Sequence, residues 1–448
     1  MTNTMWSSFS VCFEEDLESV FFKAIAEGNI SIIDICLELN LVNQFANNSA
    51  FRNASQNGQI AIVDRFLQDG RVDPSAENNF AIRWTSRNGH IAVVDRLLQD
   101  RRVDPSAKNN YAIRWASENG HIAVVNRLLQ DMRVVPSANN NYAICYASNH
   151  GHIAVVDRLL LDGRVDPSAS NNYAICYASR NGHIAVVDRL LQNSRVDPSD
   201  GNNSAIRWAS QHGHIAVVDR LLQDGRVDPS TDDNYAICYA SQNGHGDVVD
   251  RLLQDGRVDP SASNNYAICH ASRNGHIAVV ERLLQESRVD PSADDNYAIR
   301  HASNHGHIAV ADRLLLDGSV DPSADDNYAI RVASQNGHIA VVERLLQDET
   351  GRVDPSANNN VAIQWASRNG HITVVDRLLQ DRRVDPSANN NSAIRWSSEI
   401  GHIAIVDRLL QDRRVDPSAN NNSAIRMASE NGHIAVVEIL TRRTGHVL

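Results

Sequence analysis

Lysine is almost missing from this 448-residue chain: Lys23 and Lys108 stand alone among 42 basic residues, and the other forty are arginine. Duplication of a founding unit that carried arginine accounts for the bias, which also leaves few sites for ubiquitin attachment. A basic excess is missing too. The formal net charge is −12, which gives no general electrostatic attraction to nucleic acid or to an anionic membrane, and aromatic residues make up only 5%. No apolar run reaches the roughly 18 residues that a membrane span needs. The start, Met1 to Phe13, lacks the basic leader of a signal peptide.

Cysteine is sparse at six residues, and four of them, Cys145, Cys176, Cys238 and Cys269, fall in register one unit apart. Helices stacked at ordinary distances separate such neighbours by roughly 8–10 Å, whereas a disulfide needs Cα atoms within about 7 Å. Free thiols of a reducing, cytoplasmic compartment are therefore expected. Neither a phosphate loop, a nucleophile elbow, a zinc-protease helix nor a dinucleotide fingerprint occurs. The recurrent carboxylates are spread evenly, so no pair stands out as acid and base. The chain reads as a non-enzyme without a cofactor.

Proline is confined to one phrase. All twelve, Pro74 through Pro417, sit in the same local sequence, typified by Arg102 to Ser106, at a spacing of 31 residues that widens to 33 between Pro322 and Pro355, where Glu349 and Thr350 look inserted. Glycine keeps a second phase at Gly58, Gly89, Gly120 and onward to Gly432, with Gly28 in a divergent frame. A fixed period of this size marks a stacked repeat array. Such an array escapes the size limit of a single core because each unit buries its apolar face only against its neighbours.

One unit, Asn109 to Ala138, serves as specimen. Asn109 and Asn110 suit an N-cap, and Tyr111 to Asn119 reads as a short first helix with Ala112, Ile113 and Ala116 buried, Arg114 and Glu118 opposite and Trp115 on the boundary. Gly120 ends it in a left-handed conformation. His121 to Gln130 is the second helix, with Ile122, Val125, Leu128 and Leu129 as its apolar face. Asp95 and Arg96 recur on its far side, so stacking places the Asp of one unit near the Arg of the next. The Pro-containing phrase supplies turn chemistry on the way to the next unit.

Asn119, Gly120, His121, Ile122, Val124, Val125, Leu128 and Leu129 closely resemble the second-helix signature of the ankyrin repeat, in thirteen units and about nine tenths of the chain. The T-P-L-H start of that repeat is replaced by Tyr111 to Arg114, Tyr142 to Cys145 or Ser204 to Arg207. The usual Thr-to-His bond is thereby lost, and units of 31 rather than 33 residues shorten the hairpin fingers. The array is similar to the long, near-identical ankyrin arrays of large DNA viruses and amoebae. The resemblance implies an all-α solenoid of about fourteen stacked helix-turn-helix repeats, and a turn-stabilising hydrogen bond from the histidine after the glycine. Residues 1–16 read as an N-terminal extension, 17–46 as a divergent capping repeat, and 47–448 as the array, its last repeat a C-terminal cap.

Histidines one per unit are too far apart to share a metal whose ligands stand about 2 Å away, so no metal site is expected. Positions that vary among near-identical units are not fixed by packing. One such column runs Glu77, Lys108 at the turn; a second runs Arg87, Glu118, Asn149, Arg180, Gln211, Gln242, Arg273 before the Asn-Gly; a third runs Trp84, Trp115, Tyr146, Tyr177, Trp208, Tyr239. By the resemblance, the first two columns match positions through which ankyrin arrays touch partners. The aromatic column offers binding anchors or a cover for the seam between units. The expected function is a monomeric, non-enzymatic scaffold that binds a protein partner on a concave helix-and-turn face. The alternatives are a ubiquitin-ligase adaptor docking through Met1 to Asp16, and a passive array without a dedicated partner. Gly246 and Asp247, which replace Ile-Ala at the start of one second helix, predict a soft point.

Overall fold

The computed structural model describes residues 17–348 and 350–444. Expectations for residues 1–16, including Cys12, and for Glu349 lie outside the described residues. Among the described residues there are twenty-eight helices and no strand. Residues 17–27 form α1, followed by α2 (Ile30–Glu38), α3 (Gln44–Gln56), α4 (Ile60–Asp69), α5 (Ala76–Asn88), α6 (Ile91–Leu98), α7 (Ala107–Glu118), α8 (Ile122–Leu129), α9 (Ala138–Asn149) and α10 (Ile153–Leu160), and the alternation continues to α28 (Ile434–Thr444). No helix among the described residues is long and apolar enough to cross a membrane.

The chain divides into two compact units, one ending at Asp228 and the other beginning at Pro229. Within the first, each first helix packs on the next unit's first helix, α5 on α7 and α7 on α9, and on its own second helix, α7 on α8. The second follows the same scheme, with α15 (Thr231–Gln242) on α16 (Gly246–Leu253) and on α17 (Ala262–Arg273).

The glycine turn forms as expected, and its hydrogen bonds show why. Gly120 has φ +76°; its amide donates to Ser117 O at 3.2 Å and that of His121 to Ala116 O at 2.9 Å, the paired bonds of a Schellman ending that only a left-handed residue allows. A second reason for glycine lies in the neighbouring unit. A Cβ built on Gly120 would come within 2.7 Å of Nδ1 of His152, whose ring lies flat against that backbone.

The start of the first helix differs from expectation. Asn109 and Asn110 do not cap it; with Lys108 they form three consecutive left-handed residues, φ 54°, 57° and 60°. The same triad recurs in every unit from Glu77, Asn78 and Asn79 to Asn420, Asn421 and Asn422. A left-handed residue costs about 1–2 kcal/mol for an ordinary side chain, less for Asn and Asp, which explains why those two types crowd these positions. The third Asn works across units: Asn110 Oδ1 accepts the amide of Val135 at 2.7 Å and Asn79 Oδ1 that of Asp104 at 2.7 Å. Asn422 Oδ1, in the last unit, is buried without a partner.

Further corrections concern the core. Arg114 is buried rather than facing solvent, and the second helix buries Val124 and Val125, while Ile122 is only half-buried. The isoleucine column is 38% exposed at Ile308 and 46% at Ile403, so losing it at Gly246 removes a partly wet side chain rather than a core one. The N-terminal repeat buries Phe21, Ile25, Ile33 and Leu37 but leaves Val20 50% and Ile35 54% exposed.

Candidate functional site

Consecutive units are tied by polar side chains at fixed positions. Nε2 of His152 donates to the carbonyl of Glu118, 34 residues earlier, at 3.0 Å, and His276 does the same to Gln242 at 3.0 Å in the second compact unit. The turn histidine thus makes a hydrogen bond that bridges two units. In the first of these frames Gln59 takes its role, donating to Ile25 O at 2.8 Å. On the second helices Arg127 Nε meets Asp95 Oδ1 at 2.6 Å, the ladder expected from the sequence. At the loops Arg133 grips Asp131 through Nε and Nη2 and also donates from Nη1 to Val103 O at 2.7 Å. That grip holds the Asp131 carboxyl below its usual range. The exposed pairs contribute about 0–1 kcal/mol each and so set register; the buried aliphatic residues hold the stack.

The face made by first helices and left-handed turns is different in kind. Its aromatic column forms two runs within the first compact unit: Trp84 lies 5.4 Å from Trp115, and, separately, Tyr146 lies 6.2 Å from Tyr177 and Tyr177 6.4 Å from Trp208, measured between ring centres. Several of these rings also stack on the aromatic residue one turn earlier, Tyr111 on Trp115 at 4.6 Å and Tyr142 on Tyr146 at 3.8 Å, whereas Trp208 has Ser204 at that place. Arg87 spans two of them, its guanidinium carbon 4.7 Å from Trp84 and 5.2 Å from Trp115.

Every residue singled out from the sequence lies at least partly in solvent. Glu77, Arg87, Lys108, Arg180 and Arg273 are exposed, while Trp84, Trp115, Glu118, Tyr146, Asn149, Tyr177, Trp208, Gln211, Tyr239 and Gln242 are half-buried. Several already serve the stack. Glu77 pairs with Arg52 at 2.9 Å, Tyr142 donates to Glu118 Oε2 at 3.0 Å, and Tyr266 donates to Gln242 Oε1 at 2.5 Å. Asn149 Oδ1 accepts from Asn181 at 2.9 Å. The rings of the aromatic column are half-buried and touch across consecutive units at Trp84–Trp115, Tyr146–Tyr177 and Tyr177–Trp208.

Sequence reasoning missed the arginine, cysteine or glutamine column at Arg83, Arg114, Cys145 and Gln364, which packs beneath the left-handed triads. Its signal was the alternation of side chains as unlike as Arg and Cys at one buried register. The cysteines of the described residues are free and buried, and burial pushes the Cys145 thiol up to about 12, so it is a poor nucleophile at neutral pH. No three metal-binding side chains converge among the described residues.

The family model described as "Ankyrin repeats (3 copies)" matches residues 113–202, 144–233, 206–295, 268–359, 298–390 and 363–447. No curated protein matches the chain.

Proposed function

The chain belongs to the ankyrin repeat family, whose members are generally protein–protein interaction modules, and from that premise we propose that it is a non-enzymatic scaffold that binds a protein partner on the face of its first helices and left-handed turns. The observation carrying this reading is the contrast between two kinds of column. The buried Ala, Ile, Val and Leu columns repeat almost unchanged, whereas the half-buried and exposed columns at Glu77, Trp84 and Arg87 change from unit to unit. Variation at positions released from packing, next to half-buried aromatic rings, is what an interface with a particular partner uses.

Binding works through shape and charge complementarity over many units, without turnover. Flat Trp and Tyr faces supply contact area at low conformational cost, and the flanking Arg87, Glu118 and Arg180 set charge pattern and orientation. The experiment is affinity capture from the native cell by wild-type protein and by a variant carrying Arg87→Glu, Glu118→Arg and Arg180→Glu. Loss of captured proteins with an unchanged circular-dichroism melt supports the scaffold. An identical set captured by both proteins points instead to an array without a dedicated partner on this face.

A further inference from the structure

The column under the left-handed triads opens and closes a slot. Arginine fills it in some units, at Arg83, Arg114, Arg300 and Arg331; Cys145, Cys176, Cys238 and Cys269 stand there in others; Gln364 stands there in one. At Arg83, Arg114, Arg300 and Arg331 the head group folds back onto a carbonyl of the triad of its own unit. Arg83 donates from Nε to Asn78 O at 2.9 Å and from Nη2 to Glu77 O at 3.0 Å. Arg331 repeats the pair with Asp326 O and Asp325 O, both at 2.9 Å. The same head group sits between tyrosine rings of consecutive units, the carbon of Arg114 lying 4.3 Å from Tyr111 and 4.9 Å from Tyr142. Gln364 reaches the equivalent carbonyl, donating to Asn359 O at 2.6 Å.

Cysteine cannot do this. Cys238 Sγ stays 3.8 Å from Asp233 O and Cys176 Sγ 4.0 Å from Asn171 O, long contacts from a weak donor. At two of the cysteine units a groove lies beside the triad. A groove of about 310 Å³ lies at Cys238, lined by Asp232, Asp233, Tyr235, Tyr239 and Tyr266. A smaller one of about 190 Å³ lies at Cys145, where Asn139 and Asn140 replace the two aspartates.

We propose that the groove at Cys238 is a receptor for an arginine side chain of a partner protein, the incoming guanidinium taking the position that the chain's own arginines hold in other units. This deepens the scaffold reading and rests on it. The site offers what Arg83 and Arg331 already use: two backbone carbonyls of a left-handed turn, with aromatic faces on either side. It adds the carboxylate of Asp233 to offset the imported charge. A planar fork that donates to two carbonyls while stacking on rings is arginine chemistry; a lysine ammonium is a compact, strongly hydrated point charge and fits neither demand. The Cys145 groove has the rings without the carboxylate and is the weaker of the two.

The test uses the full chain, with acetyl-Gly-Arg-Gly-amide and its lysine counterpart as probes, followed by the ring resonances of Tyr239 and Tyr266. The arginine probe gives saturable shifts there and the lysine probe binds at least tenfold more weakly. Cys238→Arg fills the slot from within and abolishes the shifts, without lowering the melting temperature because arginine is native to this column; Cys238→Ser leaves the slot open and the shifts intact. Asp233→Asn weakens the arginine probe several-fold. Absence of saturable shifts, lysine binding within tenfold of arginine, or undiminished binding to Cys238→Arg each overturns the proposal. Such a failure alongside capture still lost on reversing Arg87, Glu118 and Arg180 leaves the scaffold reading standing, and intact arginine binding with unchanged capture sinks the scaffold reading alone.

Discussion

Substituting Gly120 by alanine should cost far more than the substitution costs at Gly432, and the difference should vanish when His152 is removed. Two terms act at Gly120. Its φ of +76° disfavours a β-carbon by about 1–2 kcal/mol, and the new methyl would lie 2.7 Å from Nδ1 and 2.8 Å from Cε1 of His152, an overlap relieved only by moving a ring that is itself hydrogen-bonded. Overpacking of this kind costs about 1–3 kcal/mol, so Gly120→Ala totals about 2–5 kcal/mol. His152→Ala alone loses the bond to Glu118 O and the ring's packing, about 1–2 kcal/mol. In the double variant the overlap is gone and only the backbone and hydrogen-bond terms remain, about 2–4 kcal/mol. The two changes are therefore coupled by about 1–3 kcal/mol. Gly432 has the same φ of +76° and nothing within 4 Å of an added Cβ, so Gly432→Ala shows the backbone term alone. Because a long array need not unfold in one step, the assay is amide exchange in α7 to α10, where each 1.4 kcal/mol appears as a tenfold change in protection. Additive effects of Gly120→Ala and His152→Ala, or equal costs at Gly120 and Gly432, would refute the ring-on-glycine contact as a link between units.

Further perturbations reach other features of the stack. Ser117 Oγ is buried without a hydrogen-bond partner, so Ser117→Ala should be neutral or stabilising by up to about 1 kcal/mol; a loss of more than 1 kcal/mol in thermal unfolding would show that the hydroxyl is satisfied. Gly246 opens α16 with helical backbone and open space at its Cβ, and Gly246→Ala should slow exchange across Gly246–Leu253 by several-fold, about 0.5–1 kcal/mol; unchanged exchange argues against a soft start to that helix. His301 has its pKa pushed down to about 4, by burial first and then by Arg300, Arg273, His305 and His270. The unfolded chain takes the proton first, so this contribution to stability is complete above about pH 6.5 and is lost as pH falls toward 4. His301→Tyr should flatten the pH dependence of melting in that window, and an unchanged slope assigns it to other groups.

The period, the helix pairs and the glycine turns were legible because each depends on residues adjacent in sequence: Gly120 ends a helix by its own φ, and the proline phrase carries its own turn. The aspartate–arginine ladder was legible as well, since stacking identical helices aligns Asp95 with Arg127. What sequence did not reveal was chemistry spread over two units or over unusual backbone. Asn110 has the composition of a cap, and only the structure shows it turned left-handed, reaching Val135 in the following loop. His152 carries no mark that its acceptor is Glu118 in the preceding unit. Arg114 was placed in solvent because a charged residue on an amphipathic helix normally faces water; the Lys108 carbonyl of the left-handed turn and two tyrosine rings hold it inside instead. On the candidate face, sequence variation selected positions that are all exposed or half-buried, yet it did not foresee that Glu118 and Gln242 would bond the next unit's tyrosines.

The most direct test of the account is the amide-exchange footprint of a protein captured by the wild-type chain and lost on reversing Arg87, Glu118 and Arg180. The account predicts added protection in the left-handed triads and first helices, as at Glu77 to Asn88 and Lys108 to Glu118, with α6, α8 and α10 unchanged. Protection confined to those second helices and the proline loops, or none anywhere in the array, would contradict it.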